Sequence, residues 1–124
     1  MNIIDSSGWL EHFSDGPNAD IFSEPISDTS NLIVPVITVY EVFKVALRET
    51  DEQTALHVSA AMHKGKIIDV NSTLSMEAAR LSLNHSLPMA DSLIYATAIT
   101  FQCTLWTQDI DFKNLPGVRY IPKL

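Results

Sequence analysis

A single cysteine, Cys103, excludes an internal disulfide framework, a CxxC redox motif and a cysteine-built zinc cluster. It fits a reducing compartment. Only 4 glycines and 6 prolines are present, so collagen-like and low-complexity architectures are excluded as well. No apolar run approaches the roughly 20 residues of a membrane helix. The N-terminus, Met1-Asn2-Ile3-Ile4-Asp5, lacks the basic and apolar regions of a secretory signal. The expectation is a cytoplasmic protein with no membrane partner. Basic residues are also scarce, 8 against 15 acids for a net charge of −7. Phosphate backbones are ordinarily gripped by Lys and Arg, so this balance argues against nucleic acid unless bound cations neutralise the acids.

What is present is enough apolar residue, 46% of 124, for one packed domain spanning 1–124. Short β-prone runs alternate with helical periodicity. Residues Asn2–Asp5 read as a strand. Ser6–Phe13 reads as a helix opened by small polar caps, with Trp9, Leu10 and Phe13 at helical spacing. After the turn residues Asp15-Gly16-Pro17-Asn18, a short helix over Ala19–Glu24 ends near Pro25. Leu32–Val34 is a strand closed by Pro35, and Val36–Glu49 is a helix. Another helix over Glu52–Lys64 starts after Asp51 and stops at Gly65. Lys66–Val70 is a third strand, followed by a helix capped by Ser72 or Thr73 and running through Ser86. A largely apolar helix over Met89–Gln102 leads to strands at Thr104–Thr107 and Val118–Ile121. Strands separated by helices predict a three-layer α/β/α fold around a mainly parallel five-stranded sheet.

Open parallel sheets bind ligands at the carboxyl ends of their strands. Asp5 ends the first strand and Asp109 follows the fourth. Glu41 lies early in the helix after the second strand, so these three acids can converge. Asp91, early in the helix before the fourth strand, joins them only if the preceding helix pair turns it round to that edge. Each acid alone has a plain structural explanation: Asp5 as a helix cap, Asp91 as a first-turn acid, Glu41 paired with Lys44, Asp109 and Asp111 in a turn. A charge opening the otherwise apolar Met89–Ala98 segment, and another directly after a core strand, are not anticipated by those explanations. Converging carboxylates repel unless a cation lies among them, and hard oxygen donors select Mg²⁺ or Mn²⁺ over zinc. The histidines, 12, 57, 63 and 85, have no metal-ligand spacing.

Four segments carry a family resemblance: Ile3-Ile4-Asp5-Ser6-Ser7, Thr38-Val39-Tyr40-Glu41-Val42, Met89-Ala90-Asp91-Ser92-Leu93-Ile94-Tyr95, and Leu105-Trp106-Thr107-Gln108-Asp109-Ile110-Asp111-Phe112. In order and placement over nearly the whole chain, they resemble a PIN-domain ribonuclease of the VapC type, the small toxin of toxin–antitoxin pairs. The resemblance implies that Asp5, Glu41, Asp91 and Asp109 bind metal and act in catalysis. It implies that Ser6 and Thr107 hydrogen-bond within the site, and that Asp111 is an auxiliary acid able to stand in for Asp109. The implied activity is Mg²⁺- or Mn²⁺-assisted hydrolysis of RNA by an activated water, leaving a 5′-phosphate, with Asp5 and Asp91 as the most direct ligands. The implied partners are the RNA substrate, a cognate antitoxin and a second copy of the chain. Lys44 and Arg48 are candidates for phosphate contact, or simply solvated ion-pairing residues.

Other classes compete. A PIN-like domain that has lost catalysis would still bind a partner. A response-regulator receiver would use Asp69 as phospho-acceptor with Thr107 and Lys123, but leaves Glu41 and Asp91 without a role. A haloacid-dehalogenase-like phosphatase would use Asp109-Ile110-Asp111, yet needs that motif after its first strand.

Overall fold

A computed structural model describes residues 1–124. Five parallel strands form one sheet: β1 (Asn2–Ile4), β2 (Leu32–Pro35), β3 (Lys66–Ile68), β4 (Thr104–Thr107) and β5 (Val118–Tyr120). The helices are α1 (Ser6–Phe13), α2 (Ala19–Ser27), α3 (Val36–Glu49), α4 (Glu52–Met62), α5 (Ser72–His85) and α6 (Met89–Thr100). The predicted α/β architecture is therefore the observed one.

Alternate residues of each strand feed opposite layers. Ile3, Ile33 and Leu105 pack under α5 and α6 with Leu81, Ile94, Tyr95 and Phe112. Their neighbours Ile4, Val34 and Trp106 pack on the other side with Trp9, Phe22, Val42 and Met62 from α1 to α4. At Gly8 the first helix lies so close to the sheet that a Cβ would fall 2.6 Å from Ile4 Cγ2 and 2.8 Å from the Phe22 ring.

The strand order is β3-β2-β1-β4-β5. The chain winds outward from β1 through β2 to β3, then returns to build β4 and β5 on the other side. The switch point thus lies between β1 and β4, whose carboxyl ends open a crevice. This order excludes the receiver reading. A receiver places its third strand beside the first, whereas β3 here is an edge strand, and Asp69 lies one strand removed from Asp5.

The helix pair before β4 does turn round. The start of α5 (Thr73, Leu74) and the end of α6 (Ile99, Thr100, with Phe101 just beyond) line the same cavity, so the two helices are antiparallel. A left-handed Ser86 (φ 55°) ends α5 and allows the reversal. The end of α6 leads directly into β4, so its first turn lies at the carboxyl edge of the sheet.

Smaller expectations are corrected. The second helix passes through Pro25 to Ser27, giving up the backbone bond that proline cannot donate while burying the ring. Asn71, not Ser72 or Thr73, caps α5, accepting from Leu74 N at 2.8 Å. The strand β3 ends at Ile68, where its neighbour β2 also ends at Pro35.

Candidate active site at the carboxyl edge of the sheet

Asp5 closes β1 and is at once the N-cap of α1. Its Oδ1 accepts Gly8 N–H at 2.9 Å and the Ser7 hydroxyl at 2.7 Å. Its Oδ2 accepts the Thr107 hydroxyl at 2.6 Å. Both the helix-cap reading and the site reading therefore describe one carboxylate. It is 2% exposed, and burial pushes its carboxyl up to about 6 although Thr107, Ser7 and Gly8 all pull the other way. A carboxylate has about four acceptor positions, so three donors leave Asp5 one position for an outside ligand.

Asp91, in the first turn of α6, has its carboxyl raised to about 7. Burial contributes most, followed by the negative charges of Asp109, Asp5, Glu41 and Asp111. All four other acids thus act on Asp91, the residue whose placement was open from sequence. One oxygen each from Asp91, Asp109 and Asp111 lie within 4.8 Å of one another. Asp111 thus stands beside Asp109 in this set. Asp5 and Glu41 lie outside this tightest set.

Local structure aims these side chains. Asp109 caps a 3-10 turn over Ile110–Phe112, its Oδ1 accepting Asp111 N–H at 2.9 Å. The buried Thr107 hydroxyl accepts Asp109 N–H at 2.9 Å while donating to Asp5. Glu41 Oε1 accepts the Ser6 hydroxyl at 2.5 Å, across 35 residues of chain. No ion pair joins Glu41 to Lys44; Lys44 lies 5.6 Å from the Tyr40 ring centre instead, and Arg48 pairs with Glu49.

One contributor was missed from sequence. The Ser7 hydroxyl binds Asp5 and accepts Gln108 N–H at 3.2 Å, so it fastens α1 to the loop after β4. A hydroxyl two residues after a helix-capping acid is the sequence signal for it. Of the three apolar residues at helical spacing in α1, Trp9 is fully buried, while Leu10 and Phe13 line a cavity of about 620 Å³ between α1, α3 and α4.

The electrostatics are unbalanced. The two ion pairs of the chain, Arg48–Glu49 and Arg80–Glu77, involve none of the five acids. Clustered carboxylates, two of which (Asp5 and Asp91) have a raised affinity for protons, are all hard oxygen donors and fit a divalent cation of the Mg²⁺ or Mn²⁺ type. Asp91, Asp109 and Asp111 are spaced to share one.

Comparison with known proteins agrees with this geometry. The family model described as "PIN domain" matches residues 3–118. No curated protein sequence matches the chain. Among solved structures, a toxin–antitoxin complex from Klebsiella pneumoniae superposes with TM-score 0.84 at 23% identity, covering 100% of both chains. VapBC2 from Rickettsia felis, bound to a promoter DNA fragment, gives TM-score 0.76 at 15% identity over 98% of this chain and 97% of that one. Mycobacterium tuberculosis VapC20, described as a sarcin–ricin loop cleaving toxin, gives 0.72 at 11% identity over 91% and 92%. These likenesses establish the fold.

Proposed function

The chain belongs to the PIN domain family, and from that premise we propose that it is a Mg²⁺- or Mn²⁺-dependent endoribonuclease, the toxin of a VapBC-type pair. The observation that carries this reading is the set of five carboxylates gathered at the switch point with no basic side chain paired to any of them.

Asp91, Asp109 and Asp111 form the cation-binding set, and Asp5 offers its one remaining acceptor position to the same centre. A bound divalent ion lowers the pKa of a coordinated water and offsets charge at the scissile phosphate. Thr107, Ser7 and the Gly8 N–H hold the Asp5 carboxylate in one orientation. Ser6 occupies Glu41 Oε1 and leaves Oε2 to accept a proton from water. In-line attack by that water with the 3′-oxygen as leaving group would break the P–O3′ bond, leaving a 5′-phosphate and a 3′-hydroxyl, whereas attack by the ribose 2′-hydroxyl would expel the 5′-oxygen and leave a 5′-hydroxyl.

An acidic site of this kind is held silent by a basic segment, which the antitoxin would supply. The complexes from Klebsiella pneumoniae and Rickettsia felis support that partner. The homodimer, the single-domain organisation over 1–124 and the cytoplasmic location belong to the same proposal; no helix is long and apolar enough to cross a membrane.

The test is incubation of purified, antitoxin-free protein with total RNA in Mg²⁺ or Mn²⁺ and in EDTA, beside Asp91→Asn. Cuts that need both metal and Asp91 support the reading. A folded wild type that cleaves nothing would favour a PIN-like module that binds without catalysis.

A further inference from the structure

Asn18 is at the N-cap position of α2, yet its side chain makes no capping hydrogen bond. An asparagine there ordinarily accepts from the helix N–H groups, a contribution of about 1 kcal/mol. In this chain the side chain turns away. Its Nδ2 donates to Gln108 Oε1 at 3.1 Å and to the Pro122 carbonyl at 3.0 Å. Both side chains are buried, Asn18 at 2% and Gln108 at 7% exposure. Asn18 is itself fixed from behind, its backbone N–H donating to Glu11 Oε2 at 2.9 Å. One amide thus ties the α1–α2 connection, the loop after β4 and the segment after β5, across 90 and 104 residues of chain.

Gln108 stands between Thr107 and Asp109. Its backbone N–H is held by Ser7 and its side chain by Asn18. These two anchors set the direction in which the chain leaves β4, and therefore where Asp109 and Asp111 stand relative to Asp91 across the crevice. We propose that Asn18, acting through Gln108, is a positioning residue that keeps Asp109 and Asp111 in the geometry that binds a cation with Asp91. The proposal rests on the metal-dependent reading of the site. Asn18 touches neither substrate nor metal; it contributes by holding the one loop that carries two of the acids. Hydrogen-bonded partners of ligand-bearing groups commonly change metal affinity 10- to 100-fold when removed, and Asn18 lies one bond further out.

The experiment uses the full chain as wild type, Asn18→Leu, Gln108→Met and the double variant. The two substitutions remove opposite ends of the same bond, so either one alone can decide the outcome if the other fails to fold. Mn²⁺ affinity is measured by calorimetry, and amide hydrogen exchange of residues 109–112 is measured in metal-free protein. The expected result is about a tenfold loss of Mn²⁺ affinity in each single variant, with no further loss in the double. Exchange at Asp109 and Asp111 accelerates, and kcat falls while KM for RNA holds. Unchanged Mn²⁺ affinity in folded variants, even with a lowered Tm, would overturn the positioning role and leave the site reading intact. A wild type that binds no Mn²⁺ would overturn the site reading, and the proposal with it.

Discussion

The Thr107 hydroxyl donates to Asp5 Oδ2 at 2.6 Å, joining residues 102 positions apart at the mouth of the β1–β4 crevice. The same oxygen accepts the Asp109 N–H at 2.9 Å, so one side chain sets the relation between two acids on neighbouring strands. Thr107→Val keeps the shape and removes both bonds. Leaving Asp5 without this donor while it stays buried costs about 1–3 kcal/mol. It also moves the Asp5 carboxyl further up, because the lost bond favoured the charged form. The acidic limb of the RNA-cleavage pH profile should move to higher pH in Thr107→Val and return in Thr107→Ser.

The raised carboxyls fix the sign of a pH effect on stability. Asp5 and Asp91 bind protons more tightly when folded, at about 6 and about 7, than an ordinary aspartate does at about 3.8. In metal-free protein these two groups therefore withdraw stability progressively as pH rises from about 4, and the loss is complete above about 7, where the folded chain must hold both charges. For the buried Asp5 the loss is on the order of 3 kcal/mol. Thermal melts across this range should show Tm falling with pH in EDTA and a much flatter curve in millimolar Mn²⁺.

Asp91→Asn separates stability from activity. Removing the charge that four neighbouring acids oppose should raise the Tm of metal-free protein at pH 8 while abolishing metal-dependent cleavage. A variant that is inactive because it is unfolded would show a lowered Tm instead.

Asp109 and Asp111 should not be equivalent. Asp109 caps the 3-10 turn and is held by Thr107, whereas Asp111 is exposed and its backbone N–H serves Asp109. Asp111→Asn removes a charge from the cation-binding set and should reduce Mn²⁺ affinity by more than the about 10-fold expected for a partner that only holds a ligand. Asp109→Asn should reduce it more, and should also loosen amide exchange through Phe112.

Gly8→Ala tests the packing that supports Asp5. A Cβ 2.6 Å from Ile4 Cγ2 forces α1 away from β1, at a cost of about 1–3 kcal/mol. The Gly8 N–H bond to Asp5 moves with the helix. Chemical denaturation should show the loss, and activity should fall further than the population of folded protein accounts for.

Much of this was legible in the chain because β-prone runs, helical periodicity and acids at run ends are local signals. Asp5 directly after Ile3-Ile4 and Asp109 directly after Trp106-Thr107 identify the edge of the sheet on which a site would be built. The position of Asp91 was legible only through the family resemblance and not from local pattern, since it depends on the left-handed Ser86 reversing the α5–α6 pair. Pro25 misled because a local rule against proline in helices gives way to burial of its ring. Ser7, Asn18 and Gln108 were invisible as a group: their bonds span 90 residues or more, and small polar residues near turns ordinarily serve their own backbone.

The most direct measurement of the central claim is the chemistry of the product ends. RNA cleaved by the purified chain in Mg²⁺ would be tested for 5′-phosphate against 5′-hydroxyl termini, with EDTA and Asp91→Asn controls. The account predicts 5′-phosphate ends that appear only with a divalent cation and only with Asp91 intact. Ends carrying 5′-hydroxyl, or cleavage that survives both EDTA and Asp91→Asn, would contradict it.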